Sequence, residues 1–281
     1  MTLAIPGREE MKAFDPERYL ARIEHHQTVR LSAEGLALLH HHQLFTIPFE
    51  NFDVLLGRPI LLDPPSLSAK LIDKPRGGYC FELNGLFLLA LRAFGFDAQP
   101  VLARVHLSSR LMGRGHQASV VTIDGREWLT DVGFGANNMR APMLLEIDRQ
   151  HRCNGQTLRL VKAPPYGTML QVLEEDAWTN LYSFDREYVG PGDIIYGNYY
   201  SSTHPDSIFA NNRVAALPTA EGRVSLLNWT LKIRRNDQEQ LHELPDDDRY
   251  LAALKTHFGI ELDAPYGLLQ ALGKTSEISG F

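Results

Sequence analysis

The sequence predicts an α+β fold, with an N-terminal helical bundle, a central antiparallel β-sheet or barrel and a C-terminal α/β lid. Apolar residues recur at helical spacing up to about residue 97, whereas from Gln99 they alternate with polar residues as in a strand. Short strand-like runs then follow one another to about residue 205, and the remainder mixes both patterns. We therefore expect three domains, at 1–97, 98–205 and 206–281.

Residues that favour helix ends set the boundaries of four helices in the first domain. Their predicted N-caps or first residues are, in chain order, Asp15, Ser32, Ser66 and Cys80. Pro16 supports the first of these starts, because proline is common at the first helical position. Pro75 ends the third helix, and Gly95 is the type of residue expected just past the fourth. A short strand is expected near 60–62.

The Asp124-Gly125 pair lies between two β-rich runs and predicts a hairpin with a two-residue type I′ turn. That turn sets a register in which Ala118 is opposite Asp131. Because side chains alternate between faces, His116 lies on the same face as Ala118 and is a diagonal neighbour of Asp131, roughly 7–8 Å away between backbones. A bulge or a longer loop would shift the register and could separate the two side chains.

Further strands and one helix complete the predicted elements. Strands are expected at 158–161, 169–174 and 178–184, followed by a hairpin of 224–233 and 240–244 that turns around Asn236-Asp237. A last helix over 246–258 ends before Gly259. These elements supply the antiparallel sheet and the mixed C-terminal region.

Composition excludes several classes of protein. The chain has 281 residues, 44% of them hydrophobic and 22% charged, so it can bury a sizeable core. A formal net charge of −6 without a block of like charges argues against nucleic acid as a partner. Two cysteines cannot form a disulfide framework and fit a reducing compartment. With no signal-peptide pattern in 1–15 and no run of ~18 apolar residues, we expect a cytoplasmic protein without a membrane partner.

Two histidine clusters, at 25–26 and 40–42, do not predict a metal site. Consecutive helical residues point about 100° apart, so the three histidines of 40–42 do not converge on one ion, and a solvated helix end is expected there. The sequence holds no CxxC, HExxH or spaced Cys/His quartet, and we expect no metal. Cys153 lies in a polar, turn-like setting and is expected to be incidental.

Cys80 follows two glycines and opens an apolar helix, in the segment Arg76 to Asn84. A thiol in the first turn lies at the positive end of the helix dipole, which favours the thiolate. Glycines allow backbone or substrate to approach closely because they have no Cβ. A nucleophile is one interpretation and a buried structural cysteine is the other, and the local sequence alone does not decide between them.

The predicted hairpin supplies the other two members of a nucleophilic site. A catalytic thiol needs a base, and the base needs an orienting group. We interpret Cys80 as the nucleophile, His116 as general base and later acid, and Asp131 as the group that orients and stabilises the imidazolium. Such a triad performs acyl transfer, but it does not choose the donor or the acceptor.

Four ordered motifs resemble the bacterial type of the arylamine N-acetyltransferases: 47–53, Arg76 to Asn84, His116 and 131–135. The resemblance is strong in the first half of the chain and weaker after about Pro142, where only 201–205 is similar. It implies a catalytic core shared with papain-like and transglutaminase-like enzymes. It also implies a cytoplasmic enzyme of xenobiotic metabolism that uses acetyl-CoA to N-acetylate arylamines and arylhydrazines and to O-acetylate arylhydroxylamines. The implied reaction is a ping-pong scheme through an S-acetyl-cysteine.

The resemblance also implies binding residues. The positions that match the family's acceptor pocket are Phe49, Val105, Phe134 and Phe209. Gly113 matches a glycine that approaches the coenzyme A pyrophosphate, and Arg114 adds a nearby cation. Arg76 and Glu50 match a structural ion pair. Core packing is the alternative role for the pocket residues, and an ordinary surface position is the alternative for Arg114.

Other readings of the same residues stay open. A papain-like or transglutaminase-like cysteine hydrolase could use the same triad, and a binding module could carry it as a vestige.

The chain is too short for the insertion of eukaryotic family members, and its tail, 273–281, resembles the bacterial form. The physiological acceptor, the acyl-chain preference and the coenzyme A contacts of the C-terminal half are not determined by the sequence. A homodimer is left open.

Overall fold

Capping side chains set the starts of the first helices of the chain. The structure is a computed structural model that describes residues 14–108, 112–236 and 238–269. Helix α1, Pro16–Arg22, begins after Asp15, whose side chain accepts the backbone N–H groups of Glu17 and Arg18. Helix α2, Ala33–Thr46, begins after Ser32, whose hydroxyl accepts the N–H of Gly35 at 3.1 Å. Both predicted starts are confirmed.

The next helices lead to the candidate nucleophile. Strand β1, Phe49–Glu50, and the single turn α3, Phe52–Leu55, precede helix α4, Pro64–Leu71, and helix α5, Cys80–Ala93. The predicted cap of α4 at Ser66 is wrong, because Asp63 caps the helix and accepts the N–H of Ser66 at 3.0 Å. Gly95 has a φ of 95° just past α5, as expected of a residue at that position.

The predicted strand near 60–62 is also wrong, because these residues belong to no strand. The carbonyl of Ile60 instead accepts a hydrogen bond from the side chain of Asn198 at 3.0 Å. A side-chain amide thus replaces the neighbouring strand that the prediction required.

The central sheet is antiparallel throughout, as predicted. Its eight strands are β2 Asp97–Val105, β3 His116–Ile123, β4 Arg126–Thr130, β5 Met143–Leu144, β6 Gln150–Cys153, β7 Gln156–Lys162, β8 Thr168–Glu174 and β9 Ala177–Phe184. Their order across the sheet is β5-β4-β3-β2-β9-β8-β7-β6. The inner strands β2 and β3 pack against α5, so the helix that begins at Cys80 lies directly on the strand that begins at His116.

The β3–β4 hairpin has the predicted register. Asp124 and Gly125 form the turn with φ values of 50° and 72°, the sign that a type I′ turn requires. Ser119 pairs with Thr130, so Asp131 follows the last pair of the ladder. No bulge shifts this ladder, and His116 and Asp131 therefore lie on the same face.

The C-terminal region adds a second sheet and three helices within the described residues. They are α6 Pro191–Thr203, α7 Ile208–Asn211, β10 Val214–Thr219, β11 Gly222–Leu227, β12 Thr230–Arg235, β13 Gln238–Glu243 and α8 Arg249–Phe258. The sheet order is β1-β10-β11-β12-β13. Strand β1, which also forms a bridge to Gly78 just before α5, therefore belongs to the C-terminal sheet. Gly259 ends α8 with a φ of 68°, as predicted.

Two boundaries in this region differ from the predictions. The segment 224–233 is not one strand, because Asn228 turns the chain with a φ of 58° and separates β11 from β12. The last helix begins at Arg249, three residues later than expected. The turn at Asn236 is present, whereas Asp237 and the predicted bacterial-type tail at 273–281 lie outside the described residues.

The observed elements confirm the α+β class. Apolar side chains pack in three clusters, of which the largest surrounds α1, α2 and α5 and the second fills one face of the eight-stranded sheet. The third lies between the five-stranded sheet and α8. The predicted domain limits at 97 and 205 stay a prediction. Within the described residues no helix has the length and apolar character that crossing a membrane requires.

Candidate active site

Cys80 is the first residue of α5, is 3% exposed and lines a cavity. The two preceding glycines are needed for close approach. A Cβ on Gly77 would lie 1.9 Å from the carbonyl oxygen of Pro48, and one on Gly78 would lie 2.8 Å from the side chain of Glu82. The absence of a Cβ at both positions therefore lets the segment before Cys80 pack closely against Pro48 and Glu82. The Sγ of Cys80 lies 3.7 Å from the carbonyl oxygen of Gly115.

The His116 imidazole lies between Cys80 and Asp131. Its Nε2 donates a hydrogen bond to Asp131 Oδ2 at 2.6 Å, which leaves Nδ1 as the ring nitrogen for the thiol. Burial disfavours the charged ring, but the charge of Asp131 and hydrogen bonds to Asp131 and Cys80 outweigh burial and raise the pKa of His116 to about 10. The site therefore favours an imidazolium at neutral pH, the state that a neighbouring thiolate needs.

Asp131 is buried and held by several donors. Its Oδ1 accepts hydrogen bonds from Asn84 Nδ2 and from the backbone N–H of Gly133, each at 2.9 Å. Burial alone would raise the pKa of the Asp131 carboxyl, but His116 and these donors hold it below its usual range. The orientation of the carboxylate is thus fixed before any substrate binds.

A second histidine reaches the same aspartate, and this corrects the prediction of a solvated histidine cluster. His40 in α2 is fully buried, and its Nε2 lies 3.0 Å from the main-chain carbonyl oxygen of Asp131. His25 is also buried, whereas His41 is exposed. Helical spacing explains why His40 is buried, because Leu36, His40 and Leu44 lie four residues apart on the face of α2 that packs inward.

The cavity around Cys80 has a volume of about 580 Å³. Every binding residue expected from the resemblance lines it, together with Cys80 and His116; they are Phe49, Val105, Gly113, Arg114, Phe134 and Phe209. The ring of Phe134 lies 4.9 Å from the ring of His116, and the ring of Phe209 lies 5.9 Å from that of Phe49. The cavity is the size of a small-molecule site.

A family model described as N-acetyltransferase matches residues 32–266. The chain belongs to the arylamine N-acetyltransferase family. It is 35% identical over 247 residues to the arylamine N-acetyltransferase / N-hydroxyarylamine O-acetyltransferase of Salmonella typhimurium, covering 85% of this chain and 87% of that relative. It is 34% identical to the arylamine N-acetyltransferase of Escherichia coli, covering 87% and 88% of the two chains.

Solved structures of the family have the same fold. The Mycobacterium marinum arylamine N-acetyltransferase in complex with CoA superposes with a TM-score of 0.85 at 30% identity, covering 91% of this chain and 97% of that one. The resemblance noted from the sequence is therefore confirmed, and this acetyltransferase is an enzyme of that family.

Helix α6 of this acetyltransferase forms a wall of the cavity that the sequence prediction missed. Tyr196, Gly197 and Tyr200 line the cavity, and a Cβ on Gly197 would lie 2.7 Å from the ring of Phe81. Gly190 and Pro191 occupy the N-cap and first position of the helix. The proline that supported the predicted start of α1 therefore has a counterpart at the start of α6.

The two predicted coenzyme A residues, Gly113 and Arg114, line the cavity. A Cβ on Gly113 would meet no described atom within 4 Å, so the space beside this residue is open. Arg114 also lines the cavity, and its guanidinium is paired with the carboxylate of Asp185. A cation is thus present, although it already has an acidic partner.

A buried ion cluster supports the first turn of α5. The expected pair of Arg76 and Glu50 is present at 2.8 Å, and Arg76 also contacts Asp53 at 3.0 Å. Lys70 joins the cluster, with its Nζ 2.6 Å from Asp53 and 2.7 Å from Glu82. Glu82 in turn accepts the N–H group of Tyr79 at 3.1 Å. The cluster therefore links the segment after β1 to the residue before Cys80.

Arg76→Met is expected to destabilise the fold by about 3–5 kcal/mol, because it leaves the buried carboxylate of Glu50 without its ion-pair partner and removes one cation from Asp53. Urea unfolding followed by circular dichroism measures the change. Arg18→Met is the matched control, since it breaks an ion pair with Asp73 in which both side chains are more than a third exposed, and should cost at most about 1 kcal/mol. Equal losses in the two variants would contradict a supporting role for the buried cluster.

The geometry shows no arrangement for a metal ion in the described part of the chain. No group of three or more His, Cys, Asp or Glu side chains lies close enough together there to hold one.

Proposed function

We propose that the chain transfers the acetyl group of acetyl-CoA to arylamines and arylhydrazines, and to the oxygen of arylhydroxylamines, through an S-acetyl intermediate on Cys80. The observation that carries the proposal is that Cys80 and His116 line one cavity and that the buried Asp131 is hydrogen-bonded to His116 at 2.6 Å. Both neighbours of the His116 ring raise its pKa. Supporting it are the named activities of the relatives and the CoA complex of the M. marinum structure.

Each half-reaction moves one proton through His116. In the first, Cys80 gives its proton to His116, and the thiolate attacks the acetyl carbonyl. The tetrahedral intermediate collapses, and the coenzyme A sulfur leaves as a thiol with the proton from His116. In the second, the amine attacks the S-acetyl group, His116 takes the amine proton, and Cys80 leaves as the thiolate. Backbone N–H groups at the start of α5 are candidates for stabilising both oxyanions.

Aromatic side chains make the cavity suited to a flat acceptor. Phe134, Tyr182 and the ring of His116 lie within 5.1 Å of one another by their centroids. Phe49 and Phe209 face the cavity from the N-terminal and C-terminal parts of the chain. An aryl ring that packs edge-on or offset against Phe134 would bring its amino group to the Cys80 end of the cavity.

Coenzyme A is proposed to enter past Gly113 and Arg114. The open space beside Gly113 would admit a pyrophosphate close to the backbone. Arg114 supplies a positive charge at the same edge, and pairing with Asp185 fixes its side chain. A cytoplasmic location, in keeping with the cytosolic supply of such a donor, is part of the same proposal.

Intact-mass measurement after addition of acetyl-CoA tests the reaction. We expect one acetyl group on the protein, mapped to Cys80 by peptide analysis, and its removal when an arylamine is added. A cysteine hydrolase would instead lose the acetyl group to water at the same rate without an amine. Acetylation confined to lysines, or no acetylation, would contradict the covalent scheme.

Phe134→Ala is expected to slow the second half-reaction by about tenfold while leaving acetylation of Cys80 by acetyl-CoA largely unchanged. The reason is the loss of an aromatic contact worth ~0.5–1.5 kcal/mol beyond area burial. Stopped-flow measurement of each half-reaction, with a thermal melt, makes the comparison. Phe45→Ala is the control, because Phe45 is also half-buried but packs on His41, outside the cavity. Equal slowing of both half-reactions with a lower melting temperature would assign Phe134 to packing.

A further inference from the structure

His40 is a buried histidine that the proposed chemistry does not use. It lies in the middle of α2 with no exposed surface, and its ring packs edge-on against Phe87 at 5.9 Å. Its Nε2 is 3.0 Å from the carbonyl oxygen of Asp131. The other ring nitrogen, Nδ1, is buried without a hydrogen-bond partner among the described residues. A leucine would fill this position at lower cost, since a buried unsatisfied nitrogen is unfavourable.

The charge state of His40 fixes the direction of its hydrogen bond. Burial lowers the pKa of His40 to about 4, against the smaller opposing effects of the Asp131 carbonyl and carboxylate. The ring is therefore neutral at the pH of catalysis. Because a carbonyl oxygen can only accept, the proton of the neutral ring lies on Nε2 and is donated to Asp131.

The contact ties α2 to the point where β4 ends. Asp131 follows the last residue pair of the β3–β4 ladder, so its main chain is not held by that ladder. Hydrogen bonds from Asn84 and Gly133 hold the carboxylate, whereas His40 holds the carbonyl of the same residue. With both ends bonded, the Asp131 carboxylate is kept 2.6 Å from His116.

We propose that His40 is a positioning residue for the acyl-transfer reaction: it holds the main chain of Asp131 so that the Asp131 carboxylate stays hydrogen-bonded to His116. The inference rests on the proposed triad. His40 does not touch the thiol or the substrate, and its effect reaches the reaction only through Asp131. Among the charged and titratable groups around it, Asp131 and His41 act on its ring.

The test is the rate of Cys80 alkylation by iodoacetamide, expressed as the ratio of the rates at about pH 7 and about pH 10. An ordinary thiol reacts far faster at the higher pH, whereas a thiol paired with an imidazolium already reacts at the lower one. Each rate is measured by peptide mass under conditions in which circular dichroism shows the variant to be folded at both pH values, so that an unfolded fraction does not contribute an ordinary thiol to the ratio.

His40→Leu removes the donor, and we expect the ratio to fall about tenfold. In His40→Gln the amide nitrogen reaches the place of Nε2, and the ratio should return close to that of the unmodified chain. In His40→Asn the shorter amide reaches only the place of Nδ1, and the ratio should fall as with leucine. His41→Leu, on the adjacent exposed histidine, should leave the ratio unchanged.

Asp131→Asn serves as the reference for the triad itself. If Asp131→Asn lowers the ratio but His40→Leu and His40→Asn do not, His40 only fills space and the inference is overturned. If Asp131→Asn leaves the ratio unchanged, the triad is wrong and the role of His40 falls with it. Should His40→Leu fail to fold, the contrast between His40→Gln and His40→Asn decides, and equal ratios in those two variants would overturn the inference.

Discussion

Cys80→Ser is expected to lower acetyl transfer on the order of 10⁶-fold, the scale of losing the nucleophile of a comparable triad. A serine hydroxyl is far less acidic than a thiol, and a His116 ring that is held as an imidazolium at neutral pH cannot take its proton. His116 would still be bonded to Asp131, so the electrostatics around the hydroxyl would stay those of the parent site. Turnover is measured by coenzyme A release in the presence of an arylamine.

The second cysteine supplies the control for this substitution. Cys153 ends strand β6, is half-buried, and does not line the cavity. Burial raises the pKa of the Cys153 thiol, with a smaller opposing effect from Arg140, so it is a poor nucleophile at neutral pH. Cys153→Ser should keep full turnover. If Cys153→Ser were the inactive variant and Cys80→Ser the active one, the assignment of the nucleophile would be wrong.

The sequence was sufficient to predict the His116–Asp131 pair because the determining signal is local. Asp124 and Gly125 adopt the positive φ values that their residue types favour, and the two-residue turn leaves one register for the flanking strands. The start of α5 at Cys80 was equally local, because an apolar run and a terminal glycine define that helix. What brings Cys80 to the pair is the packing of α5 on β3, which no local signal encodes.

The burial of His40 differs from the predicted solvated helix end at 40–42. The prediction treated the three consecutive histidines as one solvated group, whereas helical spacing separates them into buried, exposed and half-buried positions. The four-residue spacing of His40 from Leu36 and Leu44 was the available signal for burial. Its partner, the carbonyl of Asp131, lies 91 residues further along the chain and could not be inferred from α2.

Helix α6 was missed for a different physical reason. Glycine, asparagine, serine and threonine make up much of Pro191–Thr203, and these residues have low intrinsic helix propensity. Several of its apolar side chains, including Ile195 and Tyr199, are exposed, so the sequence has no clear apolar stripe. Contacts with the rest of the protein hold the helix, among them the hydroxyl of Tyr79 on Asn198.

The aromatic lining of the cavity was predicted from the family resemblance and not from the local sequence pattern. Phe49 and Phe209 lie 160 residues apart in the sequence, on segments joined by the pairing of β1 with β10. That pairing brings the rings to 5.9 Å, yet a phenylalanine in a short apolar segment is equally typical of a core. The comparison of the two half-reactions in Phe134→Ala therefore tests whether this aromatic lining contacts the acceptor.

Asp131→Asn is expected to lower turnover on the order of 10⁴-fold while the protein still folds. The existing donors determine how the new amide is oriented. Asn84 Nδ2 and the Gly133 N–H both point at the Oδ1 position, so the amide oxygen stays there and the NH₂ group faces His116. His116 Nε2 must then accept a hydrogen bond, which moves the ring proton to Nδ1. The nitrogen that faces Cys80 would carry a proton and could not take one from the thiol.

Loss of the carboxylate charge acts in the same direction as the change of tautomer. Asp131 is the main influence that raises the pKa of His116 against the effect of burial, so the imidazolium should lose its proton at lower pH in the variant. Asp124→Asn is the matched control, because it removes the same charge at the exposed turn of the same hairpin, where asparagine tolerates the φ of 50°. We expect Asp124→Asn to keep the turnover of the unsubstituted chain. We expect both variants to show a cooperative thermal unfolding transition, as a folded protein does. Near-complete turnover in Asp131→Asn would show that the aspartate is not a member of the triad, because a wrongly protonated His116 could not support either half-reaction.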